Sequence, residues 1–201
     1  MKSMYIGSGD TSAILAGKKT LAYKKILQRF VSDEKPHYNA KASPIDALRT
    51  GAILEERYHL YLEDDFYPQC YVICDEFDVL KSTLDFAKYN DNKVIEFQEL
   101  KTCQFNDFLK LQNADINYIK KNYKNNYNQV QQQLLCTGLD SATLVFLVVY
   151  EYIDEVNYSR DILDDEVIKF EIKRDEDVIS KIIERASFFQ TIKDLYNENL
   201  R

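Results

Sequence analysis

Ser82 to Thr102 reads STLDFAKYNDNKVIEFQELKT, two β-forming runs around an Asn90-Asp91-Asn92 turn. The second run alternates without a break. Val94, Glu96, Gln98 and Leu100 fall on one side, and Ile95, Phe97, Glu99 and Lys101 on the other. A repeat of two is the pattern of a strand, and the Asn-Asp-Asn bend makes the pair a hairpin. Upstream, Cys70 to Leu80 is also rich in β-formers, so three consecutive antiparallel strands are predicted.

Glu99 and Lys101 lie two apart and so project from one face, which Ile95 and Phe97 mark as partly apolar. A carboxylate and an amine placed there are penalised by desolvation unless something pairs with them. Asp85, on the neighbouring strand, can stand beside both. Two acids converging on one lysine make physical sense around a hard divalent cation. Magnesium takes oxygen ligands and keeps several waters, so two carboxylates and a carbonyl suffice from the protein. Such an ion polarises a phosphate and acidifies water, while the lysine offsets developing charge. Arginine would serve less well, because it does not give up its proton. The spacing D-x(13)-E-x-K is by itself a weak signal in so acidic a chain. Its bland alternative is a cross-strand ion pair worth ~0–1 kcal/mol. Asp75, Glu76 and Asp78 read as the outer edge of a strand, with Asp78 the alternative metal acid.

Outside the hairpin the period lengthens to that of helices. Asp10 or Thr11 caps a helix through Ile14 and Leu15, and Thr20–Val31 forms a second. His37–Pro44 reads as a loop. Ile45–Leu62 is a strong helix, with Leu48, Ala52, Glu55, Tyr58 and Leu62 on its inward face. After the hairpin, helices are expected over 106–119 and 126–137. A strand buried on both faces follows over 142–152, then another over 167–173 and a closing helix over 177–199. The order specifies an α/β fold, a central mixed sheet flanked by helices.

The 201 residues suit one domain, and an apolar fraction of 45% with 29% charged residues is that of a soluble globular protein. No apolar run reaches the roughly 20 residues needed to cross a bilayer. Without a leader-like N-terminus, a cytoplasmic protein with no membrane partner is expected. The four cysteines show no C-x-x-C spacing and read as reduced thiols. A net charge of −7 argues against indiscriminate nucleic-acid coating, but phosphate is read by local patches. Two such patches exist: Lys18, Lys19, Lys24, Lys25 and Arg29, and then Lys120, Lys121 and Lys124. Acids dominate 151–166. For either patch a plain solvated helix face is the competing reading.

Three further segments fall in order around the acid–lysine triplet. These are Arg49-Thr-Gly51-Ala-Ile-Leu-Glu55, Tyr127-Asn-Gln129-Val-Gln131-Gln-Gln-Leu134, and an opening Tyr5-Ile-Gly-Ser-Gly-Asp10-Thr. Together with Glu99-Leu-Lys101-Thr they resemble the YqaJ-like viral recombination exonucleases, the group around phage lambda exonuclease within the PD-(D/E)XK nucleases. The resemblance runs from residue 5 to about 150. It implies a restriction-endonuclease-like core, with 1–45 as a helical DNA-end segment, 46–152 as the catalytic core and 153–201 as a closing strand and helix. By it, Asp85, Glu99 and the Leu100 carbonyl hold Mg2+, for which Mn2+ substitutes, and Lys101 is the catalytic lysine. Glu55 is a further acid at the metal, and Gln129, with Gln131 as the weaker candidate, holds DNA or water.

The implied activity is resection of linear double-stranded DNA for phage-type recombination, in a ring trimer beside a single-strand annealing protein. A catalytically inactive nuclease fold and a restriction or defence endonuclease are the alternatives. Two departures stand out. Ser82-Thr-Leu-Asp85-Phe replaces the S-P-D-G that often precedes the metal aspartate. Asp10 stands where some members carry an arginine for a terminal 5′-phosphate, leaving Lys18, Lys19 or Arg49 to substitute. Lys121 and Lys124 complete the expected DNA contacts.

Overall fold

The computed structural model describes residues 4–31, 45–62, 65–152 and 154–199. Asp91 (φ 49°) and Asn92 (φ 62°) both take left-handed backbone conformations. Two such residues in succession make the turn whose twist suits a hairpin, and Asn and Asp tolerate them better than most. The turn joins β3 (Leu80–Asn90) to β4 (Lys93–Gln104). On the other edge of β3 lies β2 (Tyr67–Ile73), antiparallel, completing the expected three-stranded unit. The sheet continues from β4 to β5 (Ser141–Val149), parallel, and then to β6 (Val167–Lys173), antiparallel. A two-residue β1 (Ile6–Gly7) pairs in parallel with the start of β3. The expected mixed α/β sheet is thus present, with six strands among the described residues.

The register shows where that sheet opens. Ala87 pairs with Tyr67 on one edge and Phe97 on the other, while Lys81 pairs with Ile73 on one edge and Gly7 on the other. β1 and β4 therefore share one edge of β3, at opposite ends. The β3–β4 ladder stops at Phe86↔Gln98, and β4 continues on β5 alone as far as Gln104↔Val149. Backbone groups facing the opening must find other partners, because unpaired buried amides and carbonyls are costly. They find them in α6 (Lys124–Thr137) and in one acid. Gln132 Nε2 donates to the carbonyls of Ile6 (3.2 Å) and Lys81 (3.1 Å), and Gln133 Nε2 donates to that of Thr83 (3.1 Å). The Leu100 amide donates to Asp85 Oδ2 at 2.8 Å.

Helices cover both faces of the sheet. On one lie α1 (Thr11–Leu15), α2 (Leu21–Val31), α6 and α8 (Glu176–Glu198), burying Ile14, Phe30, Val130, Leu134 and Phe189. On the other, α3 (Ile45–Tyr61) packs Leu54 and Tyr58 against Phe86, Leu100 and Val145. Local signals end several helices: α6 stops at left-handed Gly138 (φ 73°), and α8 starts where Asp175 accepts from the Val178 amide. β5 is buried on both faces, as its β-branched run predicts.

Four expectations need correction. The single helix over 106–119 is two, α4 (Phe105–Leu111) and α5 (Ile116–Asn122), because Asp115 leaves the helix to cap the Tyr118 amide. A short α7 (Asp154–Ser159) lies in the acidic stretch where none was expected. On α3, Leu48 is 67% exposed and Ala52 is also exposed, so the buried face is Thr50, Ile53, Leu54 and Tyr58. Asp10 sits at the start of α1 but caps nothing with its side chain, which pairs with Arg29. The loop read over His37–Pro44 lies outside the described residues. Among those described, the four cysteines are free thiols, and no helix is long and apolar enough to cross a membrane.

Gln132 is fully buried, and Thr11 donates to its Oε1 at 2.9 Å. Gln132→Leu would strand two carbonyls at similar side-chain volume, while the Thr11 hydroxyl keeps the Ser8 carbonyl at 2.5 Å. We expect a loss of roughly 3 kcal/mol, or a fall in Tm of roughly 6–12 °C, read by urea and thermal denaturation. Unchanged stability would show that the opening does not depend on this side chain.

Candidate active site

The opening between β3 and β4 is where the sequence-derived residues meet. Glu99 projects from β4 toward α6 and is fully buried. Three donors hold its carboxylate. Lys101 Nζ and Gln129 Nε2 reach Oε1, each at 2.5 Å, and Gln133 Nε2 reaches Oε2 at 2.5 Å. Gln129 and Gln133 are one helical turn apart on α6, so both can reach the same acid. Asp85 approaches from β3. Its carboxylate takes the Leu100 amide in place of the missing ladder bond. Within a strand the amide and carbonyl of one residue point to the same edge, so the Leu100 carbonyl also faces the opening.

Gln69 completes the arrangement. In the β2–β3 register it falls opposite Asp85, between Pro68↔Phe86 and Cys70↔Leu84, yet forms no ladder pair. Its φ of 52° explains this, being rare for a residue other than glycine. The distortion changes which way the side chains of β3 point. Leu84 packs in the cluster beneath α6, and Phe86, two residues on, packs in the cluster beneath α3. The Gln69 side chain donates to Glu55 Oε1 on α3.

Electrostatics tie the groups together. Burial pushes Asp85 from 3.8 up to about 8, and the charge of Glu99 pushes the same way, against the opposing Lys101 charge and Leu100 amide. Burial also raises Glu55, with Gln69 opposing and the charge of Glu99 adding. For Lys101, burial acts to lower the pKa. The charges of Glu99 and Asp85 and the bond to Glu99 override it, and the net shift is upward. Its acid neighbours therefore favour the protonated ammonium.

Some candidates do not join this group. Gln131, expected to contact DNA, is fully buried and spent on structure, donating to the Lys173 carbonyl (2.9 Å) and accepting from the Asp175 amide (2.8 Å). Asp78, the alternative metal acid, pairs with Lys193 of α8 at 2.7 Å. Lys18 lies over the Phe188 ring at 5.6 Å, and Lys19 is exposed beside it in the turn before α2. Arg49 is exposed on α3, and Lys121 and Lys124 are exposed where α5 meets α6. It is Arg29 that reaches Asp10, at 2.5 Å. An open cavity of about 750 Å³ beside Lys120, Tyr127 and Arg174 is not lined by Asp85 or Glu99, and within it Lys120 pairs with Asp175 and Arg174 with Glu176.

Sequence reading missed Gln69, Gln132 and Gln133. The last two were findable, since positions three and four beyond Gln129 share its helix face and position 131 does not. Nothing in the local sequence marks Gln69.

The oxygen donors at the opening suit a hard cation. Among the described residues, no group of three or more acid, cysteine or histidine side chains forms a metal cage. The structure brings together Asp85, Glu99 and the Leu100 carbonyl, and Glu55, expected at the metal, is turned to Gln69. Two carboxylates and a carbonyl, completed by water, match the way magnesium is commonly held. Gln133 Oε1 is buried there without a hydrogen-bond partner among the described residues.

Neither models of known protein families nor characterised protein sequences match the chain. Solved structures do. An alkaline exonuclease from Laribacter hongkongensis superposes with a TM-score of 0.61 at 13% identity, covering 99% of this chain and 95% of that one. The same exonuclease in complex with dAMP gives 0.58 at 14% identity, over 99% and 95% of the two chains. A phage-related exonuclease from Haemophilus somnus 129PT gives 0.61 at 14% identity, over 98% and 96%. The fold is one these nucleases share.

The raised Asp85 has a measurable consequence in metal-free protein. Between the ordinary 3.8 and about 8 the folded chain holds a proton that the unfolded chain has released. The unfolding free energy therefore falls as pH rises across that window. Asp85→Asn removes the effect, so its stability gain over the parent should grow across the window to the order of a few kcal/mol. Urea midpoints near pH 5 and near pH 9 in EDTA test this. A gain that does not grow with pH would remove the buried acid from this account.

Proposed function

We propose that the chain is a divalent-metal-dependent deoxyribonuclease that hydrolyses linear duplex DNA from its ends. One observation carries the reading: Asp85, Glu99 and Lys101 meet where β4 leaves β3, in a fold shared with exonucleases. Buried acids at such a gap add nothing to stability that an apolar pair would not supply better.

In this reading Asp85, Glu99 and the Leu100 carbonyl hold Mg2+ or Mn2+, which supplies Lewis acidity toward phosphate oxygen and water. Gln129 and Gln133 fix the Glu99 carboxylate. Lys101 presents its ammonium to the charge that develops on the phosphate. Neutralising the two acids would leave burial as the main influence on Lys101 and bring its pKa down, so the lysine could also exchange a proton with water. Glu55 stands behind, kept in place by Gln69. Resection for recombination, with an annealing partner and a ring assembly, belongs to this proposal as its wider setting.

Linear duplex DNA should be degraded with magnesium or manganese and spared in EDTA, while a closed circle survives. Lys101→Ala and Glu99→Gln should each lower the rate roughly 10²–10³-fold with an unchanged circular dichroism spectrum. Cutting of closed circles would favour a restriction or defence endonuclease. Intact linear duplex at several ionic strengths would favour a non-catalytic relative.

A further inference from the structure

Past Asp85, toward the start of β3, the face of the sheet that α3 leaves bare carries an unusual surface. Gly7 and Ile73 flank Lys81 as its cross-strand partners on the two edges of β3, and Tyr71 pairs with Thr83. Partners and residues two apart share a face, so Tyr5, Lys81, Tyr71, Ile73 and Thr83 lie together. The intervening residues, Ile6, Leu80, Cys70 and Leu84, are buried on the opposite face beneath the helices. Tyr5, Tyr71 and Ile73 are 38%, 56% and 46% exposed, and none belongs to a hydrophobic cluster. Lys81 Nζ lies 4.9 Å from the centre of the Tyr5 ring and 5.7 Å from that of Tyr71.

We propose that Tyr5, Lys81 and Tyr71 form a platform for single-stranded nucleic acid leading into the acid cluster. The proposal deepens the nuclease reading and rests on it for the direction of the strand. Its occupant is chosen by chemistry. Two accessible aromatic rings offer stacking to bases, which a paired duplex keeps turned inward, and the cation between them suits the phosphates that link those bases. An apolar partner surface would have to bury the Lys81 charge, and Asp78, an acid that feels it, is already paired with Lys193. Position also favours a strand. Lys81 and Asp85 lie four residues apart on one strand, about 13 Å, or roughly four stacked nucleotides. Thr83, exposed between them, keeps that path free of bulk.

The test uses the full chain in EDTA, so that nothing is hydrolysed, and fluorescence anisotropy with a labelled oligothymidylate. Tyr71→Ala and Lys81→Ala should each weaken binding about tenfold. Tyr71→Phe should retain affinity, because the ring and not the hydroxyl does the stacking. Tyr67→Ala, which removes another exposed tyrosine, should leave affinity unchanged. No measurable binding by the parent chain, or equal binding by Tyr71→Ala and Lys81→Ala, overturns the proposal. So does a change of oligomeric state in those variants, by sedimentation, with oligonucleotide affinity unaltered; the face would then be a contact between copies of the chain. Failure of the nuclease reading is separately visible: the parent would bind the strand through Tyr71 and Lys81 yet leave linear duplex intact with metal.

Discussion

The structure depends on one interrupted ladder. β4 runs with β3 only as far as Gln98 and then continues on β5 alone. Every backbone group left facing the opening has to be satisfied without a strand, and this requirement sets the chemistry of α6. A helix lying on a sheet would ordinarily present leucine and valine to it. α6 presents Gln132 and Gln133, fully buried, and uses their amides as surrogate ladder donors. The same row of side chains carries Gln129 to Glu99. Holding the sheet open and holding the acid are thus tasks of one helix face.

This double duty explains what could be read from the sequence and what could not. The hairpin was legible because its signals are local: alternation over 93–102 and two residues able to take positive φ. The acid–lysine pair was legible because two residues on one strand must share a face. The buried side of α6 was not, since a run of polar residues looks like a solvated surface until the gap beneath it is known. Motif resemblance follows order along the chain and points to Gln131, whereas contact follows rotation about the helix and brings Gln133 to Glu99. On α3 the apolar residues Leu48 and Ala52 suggested a face that α3 does not bury, because its buried row begins at a polar residue, Thr50. The break between α4 and α5 was hidden in Asp115, which reads as an ordinary helix-surface acid unless its capping bond is seen.

Gln69 belongs to a different category, in which local sequence carries no signal because the conformation is imposed from outside. A left-handed backbone is disfavoured for glutamine and persists only where surrounding contacts over-determine it. Here those contacts are the flanking pairs with Phe86 and Leu84, together with the side-chain bond to Glu55. The distortion lies opposite Asp85, and side chains along β3 change faces at that point, which lets an acid in the middle of a strand point into the opening. The strain and the position of the acid are therefore a single feature.

The two central acids are held unequally. Glu99 is surrounded by an ammonium and two amide groups, three donors for one carboxylate. Asp85 is held by one backbone amide and is otherwise buried near a like charge, so it keeps its proton to about pH 8. Protonation is one way to relieve such a carboxylate, and a positive charge beside it is the other. Lys101 bonds to Glu99, and its charge opposes the upward shift of Asp85 without cancelling it. In the proposed nuclease, a cation at Asp85 would compete with its proton, so binding there would be linked to pH.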